Sequence, residues 1–369
     1  MNRLPAQSRA AASVAGPSRR RPVLRSAVAA LTIAALLATP IARGQPAPPS
    51  VDSRRHYTPE TQAAVERGLA WLASRQRSNG SFDSGSQFGG NPGVVGLCGL
   101  AFLSSGSAPG RGPYGRELDR AIDYVLSCTR SNGYIAEEWT DYYHGPMYGH
   151  GFATLFLAEV YGTTQREDVG QALRRAVQLI VDTQNDQGGW RYFPRPEEAD
   201  VSVTVCQAMA LRAARNAGIA VPRETIDRSV AYIRGCQNPD GGFRYRLFDP
   251  AESRLPLTAA SLVALYTSGI HEGPELERGR AYVRRRVPGS AFSRDREYYF
   301  YGQYYATQAA WQAGGDLWDL WYPAVRDELL ARQSPEGSWS EPGSGRDYQT
   351  AMALVVLQVP TGYLPILQR

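Results

Sequence analysis

Lysine is absent from this chain of 369 residues, in which all 40 basic residues are arginine. Lysine supplies the phosphate-binding group of P-loops, the Schiff base of pyridoxal enzymes and amine nucleophiles or bases, so these classes are excluded. Apolar residues make up 43% of the chain and charged residues 20%. That composition is typical of a folded globular protein.

Acidic residues are absent from residues 1–44, which contain seven arginines. The formal net charge of +5 therefore originates in this segment, because the remaining chain has 33 arginines against 35 acids. A chain without a basic excess is not expected to bind nucleic acid.

The arginine-rich start leads into an apolar run of 12 residues, Ala27–Ala38, which only Thr32 interrupts. Small residues follow at Ala42-Arg43-Gly44, so residues 1–44 are predicted to be a secretory signal and residues 45–57 a linker. We expect export to the periplasm or the extracellular space, and Arg20-Arg21 fits a Sec or a twin-arginine signal equally. No later run is long enough for an integral membrane segment.

A motif with glutamine six residues before an aromatic residue recurs along the rest of the chain. Four copies are clear and two are degenerate. The clear copies are Gln76–Phe82, Gln184–Trp190, Gln237–Phe243 and Gln333–Trp339, and the degenerate ones are Cys128–Tyr134 and Arg286–Phe292. Their aromatic residues are 47 to 56 residues apart, which gives six units within residues 58–369.

Each unit is predicted to be a helix, a glycine turn and a second helix. The first helix carries an apolar stripe on one face, as at Val65, Leu69 and Leu72, whereas the second has few charges and should be buried on most sides. We predict an all-α protein, a closed α6/α6 toroid with outer arginines in solvent. An open solenoid is the alternative, but it would need a polar inner helix at each end.

The repeated Gln-x-x-x-Gly-x-Trp unit resembles the glutamine–tryptophan motif of the prenyltransferase and terpene (squalene) cyclase repeat superfamily. This resemblance implies an α6/α6 toroid whose central cavity binds isoprenoid chains. Cyclases of this family use an Asp-x-Asp-Asp motif, and the matching stretch here is Glu198-Ala199-Asp200-Val201-Ser202. The resemblance implies that Asp200 is the proton donor and that Glu198 contacts the ligand, while Val201 departs from the motif.

No metal and no cofactor are expected. Asp200 and Cys206 are six residues apart, which places them on different faces of a helix, unlike the Asp-x-Cys pair of zinc-dependent prenyltransferases. The sequence has no Asp-Asp-x-x-Asp, His-Glu-x-x-His or Cys-x-x-Cys motif, and no thioester sequence.

The loops that lead from outer to inner helices should meet at one end of a toroid, and here they are polar and aromatic. When Tyr134 and Trp190 are aligned as equivalent repeat positions, His144 corresponds to Asp200. His150 is either a candidate base or a buried structural histidine. Asp200 itself could instead cap its helix. The candidate ligand-binding residues are Tyr148, Thr204, Gln207, Tyr299, Tyr301 and Tyr305.

The cysteines have matching spacings, because Cys98 and Cys128 are 30 residues apart, as are Cys206 and Cys236. Each pair should lie at the same end of the toroid, so we expect disulfides Cys98–Cys128 and Cys206–Cys236. Four buried thiols are the alternative.

Three functions remain open: an exported cyclase or prenyltransferase with Asp200 as acid, a non-catalytic toroid that binds a ligand or protein, and a carbohydrate-active toroid. For the first and the third function the expected partner is an apolar or a carbohydrate small molecule. The cavity discriminates among the three functions, since it should be apolar and aromatic for terpenoids, polar with arginine for sugars, and narrow or filled for a non-catalytic scaffold.

Overall fold

The computed structural model describes residues 54–83, 88–137, 145–290, 298–341 and 345–368, and these contain twelve α-helices. The six outer helices are α1 (Pro59–Arg75), α3 (Gly115–Ser127), α5 (Glu167–Asp182), α7 (Arg223–Gly235), α9 (Pro274–Arg284) and α11 (Gly315–Arg332). The six inner helices are α2 (Pro92–Ser104), α4 (Pro146–Tyr161), α6 (Val201–Asn216), α8 (Leu255–Thr267), α10 (Tyr299–Ala313) and α12 (Arg346–Gln358). The predicted secretory signal lies outside the described residues.

The inner helices form a closed ring. Each one packs against the next in the order α2, α4, α6, α8, α10, α12, and α12 packs against α2. The outer helix α1 bridges the seam, since it contacts α12, α11 and α2. This closure confirms the predicted α6/α6 toroid and rules out the open solenoid.

Burial follows the predicted division into inner and outer helices. Every residue of α2 and of α8 is buried, whereas α3 buries only one face, which includes Leu118, Ile122 and Val125. Small and apolar residues all around a helix therefore mark the inner ring, and a single apolar stripe marks the outer one.

The repeated glutamine joins each turn to the next outer helix. Gln184 Nε2 donates hydrogen bonds to the carbonyl of Gly188 in its own turn (2.8 Å) and to that of Thr225 in α7 (2.9 Å). Gln333 Nε2 donates to Ala64 O of α1 (2.8 Å), which connects the sixth unit to the first. The glutamine is thus a structural residue, and its partners are carbonyl groups of the turn and the following helix.

Arginines of the outer helices bind the repeat glutamines. This corrects the expectation that the outer arginines lie only in solvent. The side chains of Arg67, Arg120 and Arg278 donate to the Oε1 atoms of the repeat glutamines. In five of the units, the backbone carbonyl of an arginine in the next outer helix lies close to the turn glycine. The pairs are Gly80–Arg120, Gly133–Arg175, Gly188–Arg228, Gly241–Arg278 and Gly337–Arg67.

Gly188→Ala should therefore destabilise the protein more than an alanine at another left-handed glycine. Gly188 has φ +93°, and a Cβ there would lie 2.3 Å from the carbonyl oxygen of Arg228. The matched control is Gly269→Ala, at φ +88° with nothing within 4 Å of its Cβ, which should cost only about 1–2 kcal/mol for the backbone conformation. Urea unfolding of both variants measures the difference, and equal losses would contradict the close approach.

The register of the second copy is one residue later than the sequence suggested. Arg130 N donates to Tyr134 O, as Asn185 N donates to Gly189 O in the third unit, so Tyr134 occupies the position before the aromatic residue. Ile135 takes the aromatic position instead and pairs with Thr129. The alignment of His144 with Asp200, which rested on Tyr134, is therefore wrong.

The C-terminal segment closes the end of the ring where the inner helices terminate. Leu364, Ile366 and Leu367 are buried there. Trp311 Nε1 at the end of α10 donates to Leu367 O (2.7 Å), and Ile366 N donates to the Glu159 carboxylate at the end of α4 (3.3 Å). The chain thus covers this end of the toroid with its own last residues.

Glu159→Gln should stabilise the protein near neutral pH. Burial raises the pKa of Glu159 to about 8 from an ordinary 4.5, so the folded state holds a proton that the unfolded state releases. The stability that the protonated Glu159 side chain contributes is fully present below about pH 4.5 and is lost as the pH rises towards 8. Glutamine stays neutral, and we expect a gain of about 3 kcal/mol at pH 7.

Urea unfolding from pH 4 to 9 checks this result, with the exposed acid variant Glu224→Gln as the control. If the stability curves of wild type and Glu159→Gln run parallel across this range, Glu159 is not protonated in the folded protein.

The two expected disulfides are not formed, because all four cysteines are free thiols. The Cys98 thiol faces the backbone of α12 at Asp347 O (4.0 Å), and the Cys206 thiol faces α4 at Tyr148 O (3.7 Å). Cys128 and Cys236 instead cap outer helices, next to Tyr124 and Tyr232. Within each expected pair the side chains point to different neighbours, which the spacing along the chain does not reveal.

Candidate functional site

Asp200 is fully buried at the N-terminus of α6. Its Oδ1 accepts hydrogen bonds from Val203 N (2.9 Å) and from the Ser202 hydroxyl (2.6 Å). Its Oδ2 is buried and has no hydrogen-bond partner among the described residues. Asp200 therefore caps its helix with one oxygen and keeps the other available for chemistry.

Burial raises the pKa of Asp200, while the bonds from Ser202 and Val203 and the charge of Arg191 oppose that shift. The neighbouring Tyr245 hydroxyl lowers the pKa as well. Burial is the largest effect, and it favours the protonated acid.

Six half-buried aromatic residues, one from each unit, lie around the end of the ring where the inner helices begin. They are Phe88, Tyr148, Tyr192, Tyr245, Tyr301 and Tyr348, and we call them the aromatic rim. The rings of Tyr148 and Tyr192 are 6.1 Å apart, those of Phe88 and Tyr348 are 6.4 Å apart, and the hydroxyls of Tyr192 and Tyr245 are 2.6 Å apart.

Asp200 lies close to this rim. Beyond the effect of burial, its charge raises the pKa of Tyr148, Tyr245 and Tyr301. The buried acid therefore lies within electrostatic reach of tyrosines from three different units. A proton donor surrounded by aromatic rings can serve a reaction that develops positive charge.

Aromatic side chains also fill part of the lumen, the space that the inner helices enclose. The rings of Phe152 on α4 and Tyr304 on α10 are 6.1 Å apart, although these helices lie on opposite sides of the ring. Tyr305 is buried and its ring contacts that of Tyr301 (4.8 Å).

Three of the predicted ligand-binding residues have other surroundings. Thr204 Oγ1 accepts from Trp190 N (3.1 Å), as Thr258 does from Phe243 N and Thr350 from Trp339 N, so it is a repeat position that holds the turn. Glu198 is exposed and forms an ion pair with Arg191. The Tyr299 ring stacks under the Arg332 guanidinium (3.9 Å), towards α11. Gln207 donates to Met147 O (2.8 Å), and its buried Oε1 has no partner among the described residues.

His150 is a buried structural histidine. Its Nδ1 accepts from Ile135 N (3.2 Å) and its Nε2 contacts Ala176 O (3.3 Å). His150 thus accepts the hydrogen bond from the backbone of the second turn that a threonine accepts in three other units. Burial lowers the pKa of His150 to about 4. Backbone groups occupy both nitrogens, which disfavours a role as a base, and His144 lies outside the described residues.

Sequence reasoning missed Ser202, Tyr192 and Tyr245. Ser202 comes directly after the four residues that match the Asp-x-Asp-Asp motif, and the tyrosines lie in loops without periodicity. Their offset was an available signal, since Tyr192 and Tyr245 both follow a repeat aromatic by two residues. A second buried acid, Asp347, lies at the start of α12, where burial raises its pKa to about 6 and Arg75 Nε is 3.9 Å away.

No group of three or more histidine, cysteine or acidic residues in the described ranges is placed to hold a metal ion. In the same ranges, no helix has the length and apolar character needed to cross a membrane.

The fold and site define an α/α toroid with a buried acid beneath an aromatic rim. The chain belongs to the prenyltransferase alpha-alpha toroid domain family, whose model matches residues 24–178 and 171–287. This match confirms the resemblance that the glutamine–aromatic repeat indicated.

Drimenyl diphosphate synthase of Streptomyces showdoensis is 26% identical over 193 residues, which are 52% of this chain and 34% of that protein. The chain thus spans about a third of that relative's length. Type II terpene cyclase MstE from Scytonema superposes with a TM-score of 0.58 at 15% identity, covering 83% of this chain and 99% of that one.

The GH76A α-1,6-mannanase of Salegentibacter sp. HEL1_6, in an inactive variant with α-1,6-mannotriose, superposes with a TM-score of 0.61 at 12% identity. The match covers 82% of this chain and 98% of that one. These structural likenesses show the fold alone, because the same toroid carries terpene and sugar chemistry.

Proposed function

We propose that the protein is an exported cyclase or isomerase of linear isoprenoid-like chains, in which Asp200 donates the initiating proton. The observation that carries this proposal is the Asp200 carboxyl, with Oδ1 held by two donors and a buried Oδ2 without a partner among the described residues. An acid held in this way has a fixed orientation and one oxygen that can carry a transferable proton.

The proton would pass from Oδ2 to a carbon of a terminal alkene and leave a tertiary carbocation. The faces of the rim tyrosines would stabilise this charge, and an internal alkene would close a ring by attacking it. Loss of a proton to water then gives the product, so the net reaction is an isomerisation.

Charges around the rim favour an apolar ligand over an acidic sugar. Arg191 pairs with Glu198, Arg254 with Glu252, and Arg346 with Glu336, so these arginines have acidic partners on the protein. A site for a uronate would present an arginine to the ligand instead.

A carbohydrate-binding toroid is the second candidate. The Tyr301 hydroxyl is buried and without a hydrogen-bond partner among the described residues, and tyrosines that combine a ring face with a hydroxyl suit a sugar. The likeness in fold to the mannanase agrees with this candidate without deciding for it.

The mature protein should be incubated in D₂O with squalene, geranylgeraniol or farnesyl diphosphate, and the products analysed by mass spectrometry. We expect a cyclic isomer that carries one deuterium, because the proton of Asp200 exchanges with solvent. Binding of a polyprene without turnover would indicate a non-catalytic toroid, and binding of α-1,6-mannotriose alone would favour the second candidate.

A further inference from the structure

Asp200 is sealed from solvent, yet a continuous chain of hydrogen bonds leads away from it. The Ser202 hydroxyl donates to Asp200 Oδ1 (2.6 Å), and the Tyr148 hydroxyl is 2.5 Å from Ser202 Oγ. Because the single proton of Ser202 points to Asp200, Tyr148 must be the donor to Ser202. The chain therefore runs in one direction, from Tyr148 through Ser202 to the acid.

Tyr148 is the end of this chain that reaches the lumen. It precedes Phe152 by one helical turn on α4, and Phe152 contacts Tyr304 across the ring, so this face of α4 points to the axis. Tyr148 is half-buried in the aromatic rim, whereas Asp200 has no exposed surface.

We infer that Tyr148 and Ser202 form a proton relay that connects Asp200 to the lumen and restores its proton after each turnover. The inference rests on the proposed function of Asp200. It assigns a role to Ser202, which directly follows Val201, the residue that stands in place of the motif's last acid.

The relay returns a proton to Asp200 at the end of each reaction cycle. After Oδ2 has given its proton to the alkene, Oδ1 takes the proton of Ser202, and Ser202 takes that of Tyr148. Tyr148 is reprotonated by hydronium, formed when water accepts the proton that the product cation loses. Asp200 ends neutral again, now with the proton on Oδ1, and a proton exchange or rotation of the carboxyl returns it to Oδ2.

Other titratable groups face Asp200 and must be kept constant in a test. They come from neighbouring loops and helices, and they are Arg191, Tyr232, Cys236, Tyr245 and Tyr301. None of them is bonded to Oδ1, so substitutions at positions 148 and 202 leave these groups in place.

The first test follows geranylgeraniol through one turnover and through many. In Tyr148→Phe, which keeps the aromatic ring in the rim, we expect later turnovers to be slowed by about 10²-fold and the first turnover much less, because Asp200 starts protonated. Ser202→Ala also removes a donor that orients Asp200, so it should slow the first turnover somewhat and later turnovers more. Ser202→Thr, which keeps the hydroxyl, should restore the rate of both. Equal slowing of the first and later turnovers would overturn the relay, since it would indicate a general loss of geometry.

The second test needs no substrate. The pKa of Asp200 is measured by ¹³C NMR in protein labelled at the aspartate carboxyl, with Asp200→Asn identifying the signal. Ser202→Ala should raise this pKa by removing a donor to the carboxylate, and Tyr148→Phe should raise it less, through Ser202. Tyr363→Phe, an exposed tyrosine at the opposite end of the ring, is the control that should leave it unchanged.

An unchanged pKa in Tyr148→Phe would overturn the relay even if geranylgeraniol is converted. Raised values without any turnover would instead retain the hydrogen-bond chain and reject the proposed cyclase function.

Discussion

Asp200→Asn should reduce turnover of a polyprene by about 10²–10⁴-fold, the usual contribution of a positioned proton donor. Asparagine caps helices as well as aspartate does, so its amide oxygen can still accept from Val203 N and Ser202. The substitution thus removes the acid and keeps the cap. Steady-state assays together with thermal unfolding measure the two effects separately.

Asp347→Asn is the matched control for this experiment. Asp347 is also a buried acid at the start of an inner helix, but it lies near Arg75 of α1 and, unlike Asp200, neither of its carboxylate oxygens has a hydrogen-bond partner among the described residues that would fix its orientation. Turnover should be unchanged in this variant. If Asp200→Asn lowers the melting temperature but keeps the wild-type rate, Asp200 is a helix cap only.

Trp339→Ala should cost about 3–5 kcal/mol of unfolding free energy, as large-to-small changes in a core do. Trp339 is buried, and its Nε1 donates to Leu329 O of α11 (2.8 Å). Its ring abuts α1 so closely that a Cβ at Gly68 would lie 2.8 Å from it. The loss would occur at the seam where the sixth unit meets the first, which keeps the ring closed.

Trp339→Phe is the informative companion, because Phe82 and Phe243 occupy the same repeat position in other units. It keeps a ring in the seam and loses the indole hydrogen bond, at a cost of about 1–3 kcal/mol. Urea unfolding gives both values, and similar losses for alanine and phenylalanine would contradict a role for ring packing at the seam.

The helices and their division into two layers could be predicted because they depend on local patterns. The stripe of Leu118, Ile122 and Val125 and the charge-poor α2 are each read within one helix. The closed ring was also predictable, since six similar units without a polar end must bury their inner helices on one another.

The second unit shows where pattern recognition failed. Tyr134 matches the aromatic motif, but the turn's backbone hydrogen bonds place Ile135 in the core position, and His150 replaces the threonine that holds the other turns. Backbone geometry, not residue type, defines the register there.

The candidate acid could be predicted from a motif, but most of its surroundings could not. Tyr148 and Tyr245 approach Asp200 and Ser202 from the second and the fourth unit. The thiols of Cys98 and Cys206 face neighbouring inner helices instead of the expected partners. Helical periodicity tells which face of a segment is apolar. Which side chains from distant segments meet is set by the rotation of each helix in the closed ring, and that rotation depends on all six units packing at once.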